Sequence, residues 1–354
     1  MTHHNLTIEA FVKLGDFLRT FCEFITSDNN SEHLNHKWTA RFKTEIEMAQ
    51  HYNGWFSEEN CIHAFQEWGN LLSRENLEAW LKNYDLTSNK EKVVALIMAG
   101  NIPLVGFHDL LCVLVTGNKA LVKLSSNDQK LIPLLIDYVK SIEPYFEGRV
   151  TFTKEKLEHY DAVIATGSNN TARYFKYYFG KKPHIIRKNR NSVAILNGKE
   201  SGEELTALGE DIFRYFGLGC RSVSKIFIPN DYNIDTFFKA MFPHNDIINH
   251  NKYANNYDYN KAVYLMSEFK ILDNGFLILK EEKSYGSPIA SLFYEHYNNS
   301  EELKAKLKLE EDNIQCIVSS GFIDNEIAFG QTQKPSLSDY ADGIDTVNFL
   351  LRTS

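Results

Sequence analysis

The stretch KVVALIMAGNIPLVGFHDLLCVLVTGNKALVKLSS (residues 92–126) decides the fold. It opens with a short, β-branched apolar run that ends at Gly100, the pattern of a buried strand and its turn. A helical run then extends to Gly117, and ALVKLSS (120–126) is a second strand. The alternation continues down the chain. QKLIPLLIDYVKSI reads as a helix, GRVTF and DAVIATG as strands, and TARYFKYYFG as a helix ended by Gly180. HIIRK and SVAIL are strands, and GEELTALGEDIFRYFG is a helix. Strands separated by helices predict a parallel sheet covered on both faces. Such sheets bind nucleotides beyond the carboxyl ends of their strands.

The chain changes texture on either side of this block. Residues 1–90 read as helices: Phe11, Leu14, Leu18, Phe21 and Ile25 recur at helical spacing, and Ser57 is placed to cap a later helix. After Cys220 a second α/β block follows, with SVSKIFIP, GFLILKE, IASLFYEHY, NIQCIVSS and TVNFLL as its expected strands. The expected division is therefore a helical N-terminal segment (1–90), a Rossmann-like domain (91–216) and a catalytic α/β domain (217–354), with Cys220 at the junction.

Bulk properties narrow the function classes. The 354 residues suit about two domains, and 43% hydrophobic with 24% charged residues is a globular profile. A net charge of −8 argues against a nucleic-acid or anionic-membrane binder. No apolar run reaches the ~20 residues that span a bilayer. The start MTHHNLTIEAF lacks the layout of a signal peptide, which predicts a cytoplasmic protein. Five scattered cysteines without a CxxC pair predict neither a zinc knot nor a disulfide framework. His33/His36 and His244/His250 have no third ligand at metal spacing, so no metal site is expected.

Four short features carry chemistry. In FRYFGLGCRSVSKIFIP (213–229), Cys220 has Gly217 and Gly219 before it and Arg221 after it. That setting suits a reachable, partly ionised thiol, whereas Cys22, Cys61, Cys112 and Cys316 sit in apolar patterns and read as core. In GNIPLVGF (100–107), Asn101 occupies the turn after a strand; the bland reading is a helix cap. Lys123 ends an apolar strand, where it is solvated or binds a ribose or phosphate. ATGSNNTARYF (165–175) is a strand-turn-helix whose backbone N–H groups suit an anionic cofactor, although no G-x-G-x-x-G is present. The run KKPHIIRKNR (181–190) reads as a solvated edge or as a landing site for polyanionic ligands.

The order of these features resembles the aldehyde dehydrogenase superfamily, which has an Asn turn, a strand lysine, a TGS turn and then a catalytic cysteine. The closer resemblance is to acyl-CoA reductases of the LuxC type. It is carried by the 100–126 stretch, ATGSNNTARYFKYYF, IIRKNRNSVAIL, FGLGCRSVSKIFIP and the tail DYADGIDTVNFLL. The resemblance implies an aldehyde dehydrogenase-like fold and reduction of acyl-CoA to fatty aldehyde. It makes Cys220 the nucleophile and Asn101, with the Cys220 backbone N–H, the oxyanion donor. Lys123, Ser125, Ser126, Thr166, Gly167 and Ser168 fall in its cofactor-binding segments. Ser126 stands where NAD-preferring relatives often carry a glutamate, which favours NADPH, with NADH also admitted. EEKSYGSPIASLF (281–293) loosely resembles the segment with the ribose-binding glutamate and leaves that residue open. Hydrolytic members carry a glutamate about 33 residues before the cysteine, and in this chain Arg187 stands near that position. That departure favours CoA chemistry over aldehyde oxidation to a free acid. The implied partners are an acyl-CoA substrate, an acyl-transferase or acyl-protein ligase that supplies it, and a second copy in a homodimer. Aldehyde oxidation, acyl-phosphate reduction and a non-catalytic acyl-binding scaffold stay open as alternatives.

Overall fold

The computed structural model describes residues 3–27, 36–87 and 89–353. His33 and the side chain of His36 lie outside the described residues. Two compact units are present: residues 1–188 with 336–354, and residues 189–335.

The first unit is built on a five-stranded parallel sheet. Its strands are β1 (Val93–Ile97), β2 (Lys119–Lys123), β3 (Val150–Phe152), β4 (Ala162–Thr166) and β5 (His184–Arg187). Their order is β3-β2-β1-β4-β5. The chain leaves β1 toward β2 and β3, then crosses to the opposite side of β1 for β4 and β5. The switch point therefore lies between β1 and β4, the place where open α/β sheets bind ligands at their carboxyl ends. Register aligns these ends: Ile97 pairs with Lys123 on one side and with Ala165 on the other.

The helical start belongs to this unit. Helix His3–Thr26 buries Phe11, Leu14, Leu18 and Phe21 completely. Phe17 stacks on Tyr138 of helix Leu131–Ile142 at 4.4 Å, and Phe11 meets Phe107 and Phe146 edge-on. Ser57 caps helix Glu58–Leu71 as its sequence predicts, accepting the Asn60 N–H.

The second unit holds a six-stranded sheet in the order β11-β6-β7-β10-β9-β8. The strands are β6 (Asn191–Ile195), β7 (Val223–Pro229), β8 (Ile271–Asp273), β9 (Ile278–Glu281), β10 (Ser291–Tyr297) and β11 (Ile314–Val318). All neighbours are parallel except β8 with β9. Helix Gly202–Phe213 packs Leu205, Leu208 and Ile212 against Ile226 and Ile228 of β7.

Three expectations are corrected. The division falls at 188/189, not near 216–221, because β6 bonds to β7 and β11 rather than to β5. Cys220 consequently lies inside the second unit, not at its border. The tail does not stay with the second block: residues 336–354 return to the first unit. TVNFLL is not a strand but helix Thr346–Arg352, capped by Asp345 and burying Thr346, Val347 and Leu350. A short apolar run fits both periods, and here the cap and the i, i+3 burial select the helix.

A buried ion pair fastens that return. Arg187, 4% exposed at the end of β5, donates to Asp109 of helix Phe107–Val115 and, at 2.9 Å, to the Thr346 hydroxyl. Removing one partner of such a pair strands a buried charge. Asp109→Ala is expected to lower unfolding free energy by about 3–5 kcal/mol in urea titrations; a loss under about 1 kcal/mol contradicts this role.

Candidate functional site

In the first unit the predicted residues gather at the carboxyl edge of the sheet. β1 runs out through Gly100 into Asn101, β2 ends at Lys123, and β4 ends at Thr166. Gly100 has a steric reason to be glycine: a Cβ there would lie 2.6 Å from the Ser125 Cβ. The Asn101 turn and the Ser125–Ser126 turn are therefore packed side by side. Asn101 is exposed and is not the helix cap; Gly106 holds that position. Between them Leu104 adopts φ 60°, a left-handed conformation costly for a branched residue.

Lys123 is half-buried, and its ammonium donates to the Glu155 carbonyl at 3.4 Å. The Ser125 hydroxyl accepts the Asn127 N–H, whereas Ser126 is exposed. Thr166 and Gly167 lead to Ser168, which caps helix Asn169–Phe179 by accepting the Thr171 N–H. A helix start, two small-residue turns and a terminal lysine at one switch point fit a dinucleotide with its phosphates at the helix N-terminus. The run 181–190 splits into different roles. Lys181 and Lys188 are exposed, Arg187 is in the buried pair, and Arg190 bonds to the Ile314 carbonyl.

In the second unit Cys220 precedes β7. Tyr215, Phe216 and Gly217 take positive φ in succession (54°, 58° and 73°), turning the chain sharply after helix Gly202–Phe213. The Ser222 N–H then donates to the Gly219 carbonyl at 3.0 Å, closing a turn around Cys220. Two left-handed non-glycine residues beside a candidate nucleophile store backbone strain of about 1–3 kcal/mol each. Arg221 is not a diffuse cation here: its Nε donates to the Thr332 carbonyl.

Cys220 alone among the five cysteines is not buried. Burial pushes the Cys22 and Cys61 thiols up to about 12 and the Cys112 thiol upward as well. The segment likened to the ribose-glutamate region is also ordered from within this unit. Glu282 binds the Lys280 ammonium at 2.6 Å, and that contact holds its carboxyl below the usual range. Lys225, fully buried on β7, donates to the Lys283 carbonyl at 2.8 Å and to Glu295 at 2.6 Å. Sequence reading missed Lys225, Ser192 and Asp211. Each lies among residues of mixed polarity with no motif around it, so nothing local marks it before the fold is known. His244 stacks on Phe213 at 5.2 Å and His250 packs on Phe216 at 4.3 Å.

Two α/β units with these strand orders define an aldehyde dehydrogenase-like fold. The fold matches aldehyde dehydrogenase 21 from Physcomitrella patens, solved with succinate, at TM-score 0.65 and 12% identity, covering 100% of this chain and 89% of that one. It matches KauB from Pseudomonas aeruginosa at TM-score 0.56 and 14% identity, covering 92% and 81%. An indole-3-acetaldehyde dehydrogenase from P. syringae, solved with NAD+, matches at TM-score 0.56 and 12% identity over 90% and 72%. The model of the acyl-CoA reductase (LuxC) family matches residues 13–250, and the chain belongs to that family. The match takes in most of the helical start, where sequence reading found no specific motif. The chain is also 25% identical over 232 residues to the long-chain acyl-protein thioester reductase of Aliivibrio fischeri. That alignment covers 58% of this chain and 47%, about half, of the relative. Among the described residues, no helix is long and apolar enough to cross a membrane.

Iodoacetamide at pH 8 is expected to label Cys220 at least about ten times faster than any other cysteine in the native protein. Peptide mapping by mass spectrometry reads this, and preferential labelling elsewhere would refute the accessibility argument.

Proposed function

We propose that this protein reduces long-chain acyl-CoA to fatty aldehyde with NADPH, through a thioester on Cys220. The observation that carries the reading is the Cys220 turn: a single unburied thiol in a strained turn, in a member of the acyl-CoA reductase family. The Cys220 thiolate attacks the acyl thioester carbonyl, and the carbonyl oxygen becomes a tetrahedral oxyanion. The Asn101 side-chain amide and the Cys220 backbone N–H donate to that oxyanion. CoA departs as its thiolate and takes up a proton, leaving the acyl group on sulfur. When held by the residues named below, the reduced nicotinamide would supply the hydride that reduces the acyl carbon. Collapse of the resulting thiohemiacetal releases aldehyde and returns the Cys220 thiolate.

Lys123, Ser125, Ser126, Thr166, Gly167 and Ser168 are the residues proposed to hold the dinucleotide. Lys123 is assigned to the adenosine ribose or its phosphate, and the 166–168 turn to the phosphates and the nicotinamide half. Ser126 is neutral and exposed, so a 2′-phosphate meets no carboxylate there. The acyl-enzyme is protected from water because Arg187, in the place the resemblance gives to the hydrolytic glutamate, is a buried cation bonded to Asp109. The A. fischeri relative is an acyl-protein thioester reductase, which makes a protein-bound acyl thioester a second donor for this chain. An acyl-transferase or acyl-protein ligase is the class of partner that would supply it.

The reading is tested with decanoyl-CoA, NADPH and NADH, following CoA release and nicotinamide oxidation. Turnover is expected with the wild type and none with Cys220→Ala. Asn101→Ala is expected to lower kcat by about 10²–10³. Unchanged turnover in Cys220→Ala would remove the proposal. In a separate comparison, Ser126→Glu is expected to raise the KM for NADPH about tenfold or more while sparing NADH, through repulsion of the 2′-phosphate. Equal effects on both cofactors contradict the assignment of Ser126.

A further inference from the structure

Two buried groups outside the proposed chemistry anchor the Cys220 turn, one directly and one through a loop. Ser192, the second residue of β6, is 0% exposed. Its hydroxyl donates to the Cys220 carbonyl at 2.9 Å. The other group is Asp211, near the end of helix Gly202–Phe213 and also 0% exposed. Its carboxylate accepts the Gly330 N–H at 2.6 Å, the Thr332 N–H at 2.9 Å and the Thr332 hydroxyl at 2.8 Å. The loop so fixed presents the Thr332 carbonyl to Arg221, the residue after Cys220. Gln333 from the same loop lies 3.4 Å from the Ser222 hydroxyl.

A buried carboxylate needs several donors to be tolerated, and Asp211 finds them all in one loop. A fully buried serine could have been alanine at little cost if packing were its only task. The structure assigns Ser192 and Asp211 as positioning residues for Cys220. Ser192 pins the carbonyl that sets the Cys220 backbone torsion, and Asp211 acts through the 330–333 loop on Arg221. Together they hold a turn that the left-handed Tyr215 and Phe216 strain. The inference rests on the reading of Cys220 as nucleophile. A displacement of about 1 Å at a reacting atom costs on the order of 10²-fold in rate.

The experiment uses the full chain with Ser192→Ala, Ser192→Thr, Asp211→Asn and a comparator, Tyr297→Phe. Tyr297 donates to the Leu196 carbonyl at 2.9 Å, just past the far end of β6, so the comparator loses a similar bond away from the turn. Three quantities are read: kcat and KM with decanoyl-CoA and NADPH, the pH profile of Cys220 alkylation by iodoacetamide, and Tm. Ser192→Ala is expected to lower kcat roughly 10- to 100-fold, leave KM within about threefold and shift the alkylation profile. Ser192→Thr, which keeps the hydroxyl, restores most of both. Asp211→Asn moves kcat in the same direction, whereas Tyr297→Phe moves Tm alone.

A wild-type kcat and alkylation profile in Ser192→Ala overturns the role of Ser192, as does the same loss in Tyr297→Phe. If Ser192→Ala does not fold, Ser192→Thr with a rate as low as a failed turn, at wild-type Tm, overturns it instead. Asp211→Asn with unchanged kcat and profile removes the loop from the device. If Cys220→Ala retains acyl-CoA reduction, the reading of Cys220 as nucleophile fails, while the alkylation profiles still decide whether Ser192 and Asp211 govern this thiol.

Discussion

The buried contact between Arg187 and Asp109 is the constraint on which the first unit turns. It joins three segments that are remote in sequence: the end of β5, the helix after β1 and the C-terminal helix through Thr346. Without a partner of opposite sign, a guanidinium at 4% exposure is untenable. The Thr346 bond on the same guanidinium ties residues 336–354 to the first unit after the second has been built. The same contact bears on chemistry. A cation locked against Asp109 cannot act as a base toward water, which suits the proposed acyl-enzyme.

The two units divide the labour of the proposed reaction by the ends of their strands. In the first sheet the polar residues collect beyond the carboxyl ends of β1, β2 and β4, as a parallel sheet with a switch point dictates. In the second sheet Cys220 enters at the amino end of β7, where no such rule applies. Its position comes instead from side-chain bonds: Ser192 on its carbonyl, and Asp211 through the loop that holds Arg221. Strain at Tyr215 and Phe216 is tolerable because both side chains are buried and the turn is anchored on either side.

Most of the strand and helix content was legible because apolar periodicity and glycine or serine punctuation are local signals. Gly117 closed its helix, Ser57 capped another, and Lys123 fell at a strand end. The placement of Asn101, Lys123 and Thr166 at one edge of the first sheet was legible for the same reason, since turns after parallel strands collect at one edge whatever the loops do. The tail misled because TVNFLL fits a strand and a helix equally well until Asp345 is seen capping it. The domain border misled because HIIRK and SVAIL are two similar strands three residues apart, and only hydrogen bonding shows that they serve different sheets.

By itself, then, the sequence determined the α/β class, the parallel sheets, and the identity of the one cysteine set among glycines and a cation. These follow from short-range chemistry: side-chain periodicity, turn propensity and neighbouring charge. Tertiary structure alone decided where the chain changes units, that its tail returns, and which partners the buried Ser192, Asp211 and Arg187 find. Those outcomes depend on buried polar groups finding distant partners, as Arg187 does at Thr346, 159 residues on, and Lys92 at the Leu350 carbonyl, 258 residues on, and no local pattern encodes such distances.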